Sequence, residues 1–157
     1  MYLYPMQNRF HKYQGTGNDF IMIDDRDATF PQEDVAYIAH CCDRRFGIGA
    51  DGLILVQNHP IADFRMVYFN ADGRESSLCG NGARCTVAFA ASLGIIEKQT
   101  TFMAIDGLHT ATIEADQTVA LRMHDVTDFR CEKEHTFLDT GSPHHVAIVE
   151  DLAHFPV

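Results

Sequence analysis

The stretch NADGRESSLCGNGARC, residues 70–85, joins a polar loop rich in turn residues to the start of an apolar helix. We predict that this helix begins within residues 80–82 and runs to Gly94, a residue type common at helix C-termini. Cys79 would then lie at the helix N-terminus, where unpaired amides and the helix dipole favour a thiolate. The same amides can bind a carboxylate or a phosphate beside the sulfur. The stretch therefore predicts a reactive thiol next to an anion-binding pocket.

The other four cysteines are expected to be packing residues, because cysteine is among the most frequently buried residue types. They are Cys41, Cys42, Cys85 and Cys131. Cys85 falls inside the predicted helix with apolar neighbours on its face, whereas Gly, Asn and Ser surround Cys79 in the sequence. Local chemistry therefore singles out Cys79.

The composition is that of a globular domain with reduced thiols. Hydrophobic residues make up 46% of the 157 residues, and the formal net charge is -10, from 12 basic and 22 acidic residues. Basic residues are few and scattered, which argues against a nucleic-acid partner. No run reaches the ~18 apolar residues of a membrane helix, and residues 1–10 lack the features of a secretory signal. Five cysteines without disulfide-framework spacing then indicate a cytoplasmic protein.

Short apolar or alternating segments predict a chain dominated by β-strands. Most connections are too short for parallel crossovers. We therefore expect an α+β fold in which a mixed, mainly antiparallel sheet is wrapped around the central helix. An Asp106-Gly107 turn is expected to join two of the strands into a hairpin. The predicted strands are residues 9–14, 19–24, 53–56, 63–69, 102–105, 109–113, 118–124, 134–138 and 145–149.

A second helix is predicted at residues 32–42. Thr29 and Gln32 fit a capping box at its start. An apolar stripe at helical spacing marks its buried face. The stripe consists of Val35, Ile38, Ala39 and Cys42.

The segment RRFGIGADGLILV, residues 44–56, contains a formal dinucleotide-binding pattern of three glycines. We reject that function, because the motif requires a strand before it and a helix after it. Here the segment follows a helix and enters a strand, so a structural loop is the better interpretation. Arg44 and Arg45 either direct charge toward a ligand or are solvated charges at a helix end.

Two further polar segments are candidates for the walls of a site. GTGN, residues 15–18, is either a plain hairpin turn or one such wall. DTGSPHH, residues 139–145, places His144 in a turn between strands, where it is either a base for Cys79 or simply exposed to solvent. No Cys-x-x-Cys or His-x-x-x-His spacing supports a metal site, so none is predicted.

Residues 1–127 are expected to form one domain, and residues 128–157 the opening strands of an incomplete second domain. Residues 126–133 are polar and charged, and are interpreted as a linker. The sequence stops shortly after two predicted strands. That pattern indicates a fragment, or a sheet edge that must pair with something else.

Four segments together resemble the diaminopimelate epimerase family, in the order found there. They are GTGNDF (15–20), RRFGIGADG (44–52), FNADGRESSLCGNGARC (69–85) and TGSPHHV (140–146). The resemblance implies a cofactor-independent enzyme that interconverts LL- and meso-diaminopimelate for lysine and cell-wall synthesis. It also implies two similar α/β domains with the substrate between them, of which this chain covers the first and the start of the second.

The resemblance assigns roles to individual residues. Cys79 corresponds to one of two catalytic thiols, and His144 to a histidine that assists a thiol. Gly80 and Asn81 would bind the α-carboxylate. Asn18 and Asn70 correspond to asparagines that contact the substrate in the family. With only one of the two thiols present, the 157-residue chain alone is expected to be inactive.

Other functions compete with this one, and some residues differ from the family pattern. A binding module without turnover, a proline-racemase-like epimerase and a thiol hydrolase are the competing functions, although Asn81 stands where proline racemases typically have histidine. Ser142, Gly52 and Arg74 depart from the family pattern, in which Asn, Gln and Ser respectively are frequent. The expected partner is a small-molecule amino acid, and a homodimer is an expected assembly because strand edges and a cleft face are exposed.

Overall fold

The computed structural model describes residues 9–155. The segment assessed for a secretory signal, residues 1–10, therefore lies mostly outside the described residues. The chain divides into two compact units, Met1–Arg122 and Met123–Val157. The boundary after residue 127 stays a prediction.

Within the described residues, the first unit contains a seven-stranded sheet in which every strand pairs with its neighbour in the sequence. The pairs β2–β3 and β4–β5 are parallel, and the other four are antiparallel. The predicted mixed, mainly antiparallel sheet is thus confirmed. The strands are β1 (His11–Gly15), β2 (Asn18–Asp24), β3 (Gly52–Gln57), β4 (Phe64–Asn70), β5 (Gln99–Ala104), β6 (Gly107–Ile113) and β7 (Val119–Leu121).

Each parallel pair is connected through a helix. Helix α1 (Val35–Cys42) links β2 to β3, and helix α2 (Gly80–Ser92) links β4 to β5. The two helices pack on opposite faces of the sheet. Two crossovers of the same hand place their helices on opposite faces here, because β4 runs antiparallel to β2. Right-handed crossovers are the general rule for such units.

Two apolar layers form the core, one on each face of the sheet. Phe20 and Met22 of β2 pack in the layer that contains α2. Ile21 and Ile23 alternate with them and pack in the layer that contains α1. In β3 the run LILV is fully buried, as expected for a strand covered on both faces.

Helix α2 is the central helix predicted from the sequence. It contacts both outer strands of the sheet, β1 and β7, so the sheet curls around it. Its C-terminus is closed by a Schellman motif, in which Ile95 N donates to Ala90 O and Gly94 N donates to Ala91 O, both at 3.0 Å. Gly94 takes a φ of 71°, a left-handed conformation that glycine adopts without strain. Neither helix of the described residues has the length and apolar character needed to cross a membrane.

The predicted start of α1 is wrong. The helix begins at Val35, with Asp34 as the N-cap that accepts a 2.9 Å hydrogen bond from Tyr37 N. The expected capping residue Thr29 is held in the preceding loop, because its amide donates to the Asp25 carboxylate at 2.8 Å. The buried face also differs: Cys41 is buried, whereas Val35 is 43% exposed.

The hairpin between β5 and β6 has its turn one residue earlier than predicted. Ala104 pairs with Gly107, so Ile105 and Asp106 form the turn and Gly107 already belongs to β6. Gly107 has a φ of 126°, which fits a glycine at the turn exit.

The second unit contains, within residues 123–155, a three-stranded antiparallel sheet in the order β10-β9-β8. The segment interpreted as a linker includes β8, so that interpretation is wrong for residues 129–131. Arg130 of β8 places its guanidinium 5.1 Å from the ring centre of Phe137 on β9. The elements are β8 (Phe129–Cys131), β9 (Thr136–Asp139), β10 (Pro143–Val146) and a 3₁₀ turn (Leu152–His154).

Candidate active site around Cys79

The candidate site lies at one end of the sheet in the first unit, where β2 and β3 begin and β4 ends. The strand register places Phe20, Gly52 and Asn70 side by side on these three strands. Asn18 starts β2 immediately after the β1–β2 turn. Cys79 precedes α2 at the end of the loop that follows β4. Sheet topology thus brings together residues that are distant in the sequence.

Cys79 is the N-cap of α2, which begins at Gly80 within the predicted interval. Its backbone is extended (φ -103°, ψ 112°), and its side chain makes no capping hydrogen bond to the helix. The first intrahelical bond runs from Ala83 N to Cys79 O at 2.8 Å. The amides of Gly80, Asn81 and Gly82 therefore precede the ladder and have no intrahelical acceptor. The Cys79 side chain is half-buried. An anion pocket formed by these amides beside the sulfur stays a prediction.

Asn18 lies between the cysteine and a carboxylate. The Cys79 thiol lies 3.5 Å from Oδ1 of Asn18 and can donate to it. On its other side, Asn18 Nδ2 donates to Asp51 Oδ2 at 2.8 Å. The GTGN loop is therefore both a hairpin turn and one wall of the site.

Asp51 belongs to a small network of charges. Arg44 donates to both Asp19 and Asp51 at 2.7 Å, and Lys12 donates to Asp19 at 2.8 Å. The Arg44 guanidinium holds the pKa of Asp19 well below its usual range. The pKa of Asp51 is also lowered, first by its hydrogen bond from Asn18 and then by the Asp19 amide. The sequence leaves the role of Arg44 open. In the structure its guanidinium pairs with these two aspartates.

Asn70 is fixed by two side chains of its own segment. Tyr68 donates its hydroxyl to Asn70 Oδ1 at 2.8 Å, and Asn70 Nδ2 donates to Ser76 Oγ at 3.0 Å. The Tyr68 ring packs edge-on against Phe20, with ring centres 6.0 Å apart. Burial raises the pKa of Tyr68 to about 12, so the hydroxyl keeps its proton at neutral pH. Within residues 9–155, Asn70 Nδ2 donates to Ser76 alone, so its second amide hydrogen is available to a ligand.

The side chain of Asn81 ties the start of α2 to the β1–β2 turn. Its Oδ1 accepts from Thr16 Oγ1 at 3.2 Å and from the Arg84 guanidinium. Its backbone amide remains the group suited to an anion. The roles of Gly80 and Asn81 in carboxylate binding stay predictions.

Three of the other thiols have the packing role expected of them. Cys41 and Cys42 belong to the layer with α1, and Cys85 to the layer with α2. Burial raises the pKa of all three, that of Cys42 to about 11. The expectation for Cys131 is wrong: it is exposed, because β8 lies at the edge of its small sheet.

His144 lies in the second unit, on β10, and is exposed. Its Nε2 is 2.9 Å from Thr140 Oγ1. The proposal that His144 assists Cys79 stays a prediction.

Two residues of the site were not found from the sequence. The sequence pattern predicts a structural loop around Asp51, although an acid directly before a buried strand is a usable signal. Tyr68 was assigned only to a strand. Its hydroxyl reaches Asn70 because residues i and i+2 share one face of a strand.

Solved structures share this curled sheet around one helix. A phenazine biosynthesis protein of the PhzF family from Bacillus anthracis matches with a TM-score of 0.64 and 20% identity, over 89% of this chain and 55% of that one. A probable proline racemase from Agrobacterium radiobacter matches with a TM-score of 0.55 and 14% identity, over 88% and 51%. The protein therefore belongs to the fold class of these structures, with a cysteine at the start of the central helix.

Sequence comparison narrows the class to one family. The diaminopimelate epimerase family model matches residues 10–127. Diaminopimelate epimerase from Flavobacterium psychrophilum is 55% identical over 149 residues, 95% of this chain and 58% of that protein. The Chlorobaculum tepidum enzyme of the same name is 44% identical over 151 residues, 88% and 56%. The chain belongs to the diaminopimelate epimerase family, and it spans somewhat more than half the length of these relatives.

Proposed function

We propose that the whole protein carrying this chain epimerises diaminopimelate, interconverting the LL and meso forms, with Cys79 as one of two acid/base thiols. The observation that carries the proposal is the position of Cys79 at the amides of α2, in a chain of this family. The product would serve lysine and peptidoglycan synthesis. A small-molecule amino acid is accordingly the expected partner.

The reaction requires a proton to leave the α-carbon from one face and another to arrive from the opposite face. Negative charge develops on the α-carbon and the adjacent carboxylate as the first proton leaves. Oriented amides at the start of α2 can stabilise that charge, because such dipoles need no reorganisation during the reaction. We assign this role to the amides of Gly80 and Asn81. Asn18 and Asn70 would orient the substrate.

The second thiol would have to come from residues beyond this unit. Among the cysteines of residues 9–122, Cys41, Cys42 and Cys85 are buried in the two core layers. None of them is accessible to a ligand at the start of α2 while the unit is folded. Cys79 thus supplies one face only, and the group for the opposite face stays unassigned. A homodimer is a further expectation of this proposal.

The test is isotope exchange at the α-carbon, measured on the complete coded protein in D₂O together with LL-to-meso conversion. Cys79→Ala should abolish both, and Cys79→Ser should reduce both, because a hydroxyl is a far weaker acid than a thiol. Cys131→Ser is the matched control, since this exposed cysteine belongs to the second unit. Wild-type protein that binds diaminopimelate without exchange would support the binding-module alternative. Full activity of Cys79→Ala would refute the assigned role.

A further inference from the structure

The orientation of the Asn18 amide is dictated by Asp51. Asp51 Oδ2 accepts hydrogen bonds from Asn18 Nδ2 at 2.8 Å and from Asp19 N at 3.1 Å. An ionised carboxylate has acceptors only, so the NH₂ group of Asn18 must face it. The opposite atom of the amide, Oδ1, is therefore the one that faces the Cys79 sulfur at 3.5 Å.

Asp51 is kept ionised by its surroundings. Arg44 donates to its other oxygen, Oδ1, at 2.7 Å. Its pKa is lowered, with the hydrogen bond from Asn18 as the largest cause. The carboxylate thus stays an acceptor at neutral pH. A flipped Asn18 amide would place its oxygen against this carboxylate, so the observed orientation is favoured.

An amide oxygen discriminates between the two forms of the cysteine. It accepts a hydrogen bond from the thiol but repels a thiolate, since the negative end of the amide dipole then faces a negatively charged sulfur. The free amides of α2 act in the opposite sense. We propose that Asp51 is a positioning residue: it keeps the Asn18 oxygen facing Cys79, and that oxygen favours the protonated cysteine over the thiolate in the ligand-free protein.

Two titratable groups near Cys79 are neutral, and one is a cation. Tyr68 and Cys85 are the groups whose pKa values respond to the charge on this cysteine. Both are raised by burial, so both are neutral near pH 7. Arg84, one turn into α2, is bonded to the neutral side chain of Asn81 and keeps its positive charge, so together with the amides of α2 it favours the thiolate.

In the proposed reaction, on which the functional meaning of this inference rests, the Asn18 oxygen matters in the step in which Cys79 acts as the acid. Its S–H bond breaks as the electron pair of the α-carbanion forms the new C–H bond, and the sulfur is left as a thiolate. The Asn18 oxygen makes that thiolate less stable, so it favours proton return in the reverse direction. Asp51 would thereby influence the rates in both directions without contacting the substrate.

The test measures alkylation of Cys79 by iodoacetamide across a pH series, read by peptide mass spectrometry. The full chain is used, without substrate. Asn18→Ala removes the opposing oxygen, and Asp51→Ala frees the amide to turn its NH₂ toward the sulfur. Each variant should react about three- to tenfold faster at pH 7, with the midpoint of its pH–rate profile shifted to lower pH. Unchanged or slower reaction in both variants would overturn the proposal.

The double variant separates an effect through Asn18 from a direct effect of the Asp51 charge. If Asp51 acts through Asn18, adding Asp51→Ala to Asn18→Ala should change the rate little. Additive effects would contradict the proposal. Asp72→Ala removes a carboxylate that accepts hydrogen bonds from Arg74, and serves as the matched charge control. Labelling of buried Cys85 reports any loss of folding.

The alkylation result can be interpreted whether or not the protein is catalytically active. If the complete protein proves inactive with diaminopimelate while the alkylation pattern is as expected, only the proposed function fails. If activity is found but Asp51→Ala leaves the alkylation profile unchanged, only the positioning role fails.

Discussion

The ring of Tyr68 fills the space that a side chain at position 52 would need. A Cβ added to Gly52 would lie 2.6 Å from Tyr68 Cε2 and 2.6 Å from the carbonyl oxygen of Phe69. The same tyrosine donates to Asn70, so its ring and hydroxyl link β3 to the candidate site. Glycine at position 52, where the family frequently has Gln, therefore leaves the space that the Tyr68 ring of β4 occupies.

Gly52→Ala should lower the free energy of unfolding by about 1–3 kcal/mol, because the added methyl overpacks the sheet against a backbone carbonyl. Urea unfolding monitored by circular dichroism measures the change. Gly80→Ala is the control, since the nearest atom to its added Cβ, Arg84 Nη1, is 3.7 Å away. Equal losses in the two variants would show that steric contact at Gly52 is unimportant.

Tyr68 should titrate well above an ordinary tyrosine. Its pKa is raised from 10.0 to about 12 in the folded protein, so folding favours the protonated phenol. The resulting stabilisation is complete below pH 10 and is lost as the pH rises toward about 12. The difference between the phenolate absorbance titrations of wild-type and Tyr68→Phe protein isolates this group. A difference curve centred at pH 10 would contradict the prediction.

Cys79 should be alkylated faster than the other cysteines of the first unit. Cys42 and Cys85 are buried and have raised pKa values, so both access and thiolate fraction are low. Peptide mass spectrometry after a short exposure to iodoacetamide ranks the sites. Exposed Cys131 provides a reference for an accessible thiol. Labelling of Cys85 at the same rate as Cys79 would count against the site.

Asn70→Ala and Asn18→Ala should both impair diaminopimelate turnover in the complete protein. Losing one hydrogen bond to a charged group costs roughly 1.5–3 kcal/mol, which is more than about tenfold in kcat/KM. The matched control is Asn58→Ala. Asn58 lies directly after β3, at the end of the strand opposite the site, and its side chain donates to Arg26 O. Wild-type kinetics in both site variants would refute the assignment of these asparagines.

The 157-residue chain alone should not convert LL- to meso-diaminopimelate. Cys79 and its loops can serve one face of the α-carbon, whereas inversion needs a group on each face. The site would also be open to water, which weakens oriented amides. Conversion at about 1 per second or faster, abolished by Cys79→Ala, would contradict this. It would mean that a second copy of the chain supplies the opposite face.

The parts predicted correctly are those encoded by neighbouring residues. Helix α2 follows its predicted limits because the Gly-Asn-Gly start and the Gly94 end act within one turn. The sheet pattern follows from alternating apolar segments. The start of α1 does not follow from local sequence, because the Asp25 carboxylate, outside the helix, holds Thr29 in a loop.

The parts missed depend on contacts between distant residues. Asp51 reaches Asn18 across 33 positions of sequence, and only the strand register brings the two together. Strand β8 has three residues, all exposed, so no apolar alternation marks it. Contacts of this kind become visible only once the sheet is assembled.

The neighbour-to-neighbour order of the seven-stranded sheet has a consequence for how the protein forms. Each strand can pair with the one made just before it, so the sheet can grow in the direction of synthesis on the ribosome without waiting for a distant partner. Such local pairing keeps loop-closure entropy small at each step. The exception is α2, whose apolar side is covered completely only when β7 has been added. The apolar side of the helix that has Cys79 at its start would thus be among the last surfaces of this unit to become fully buried.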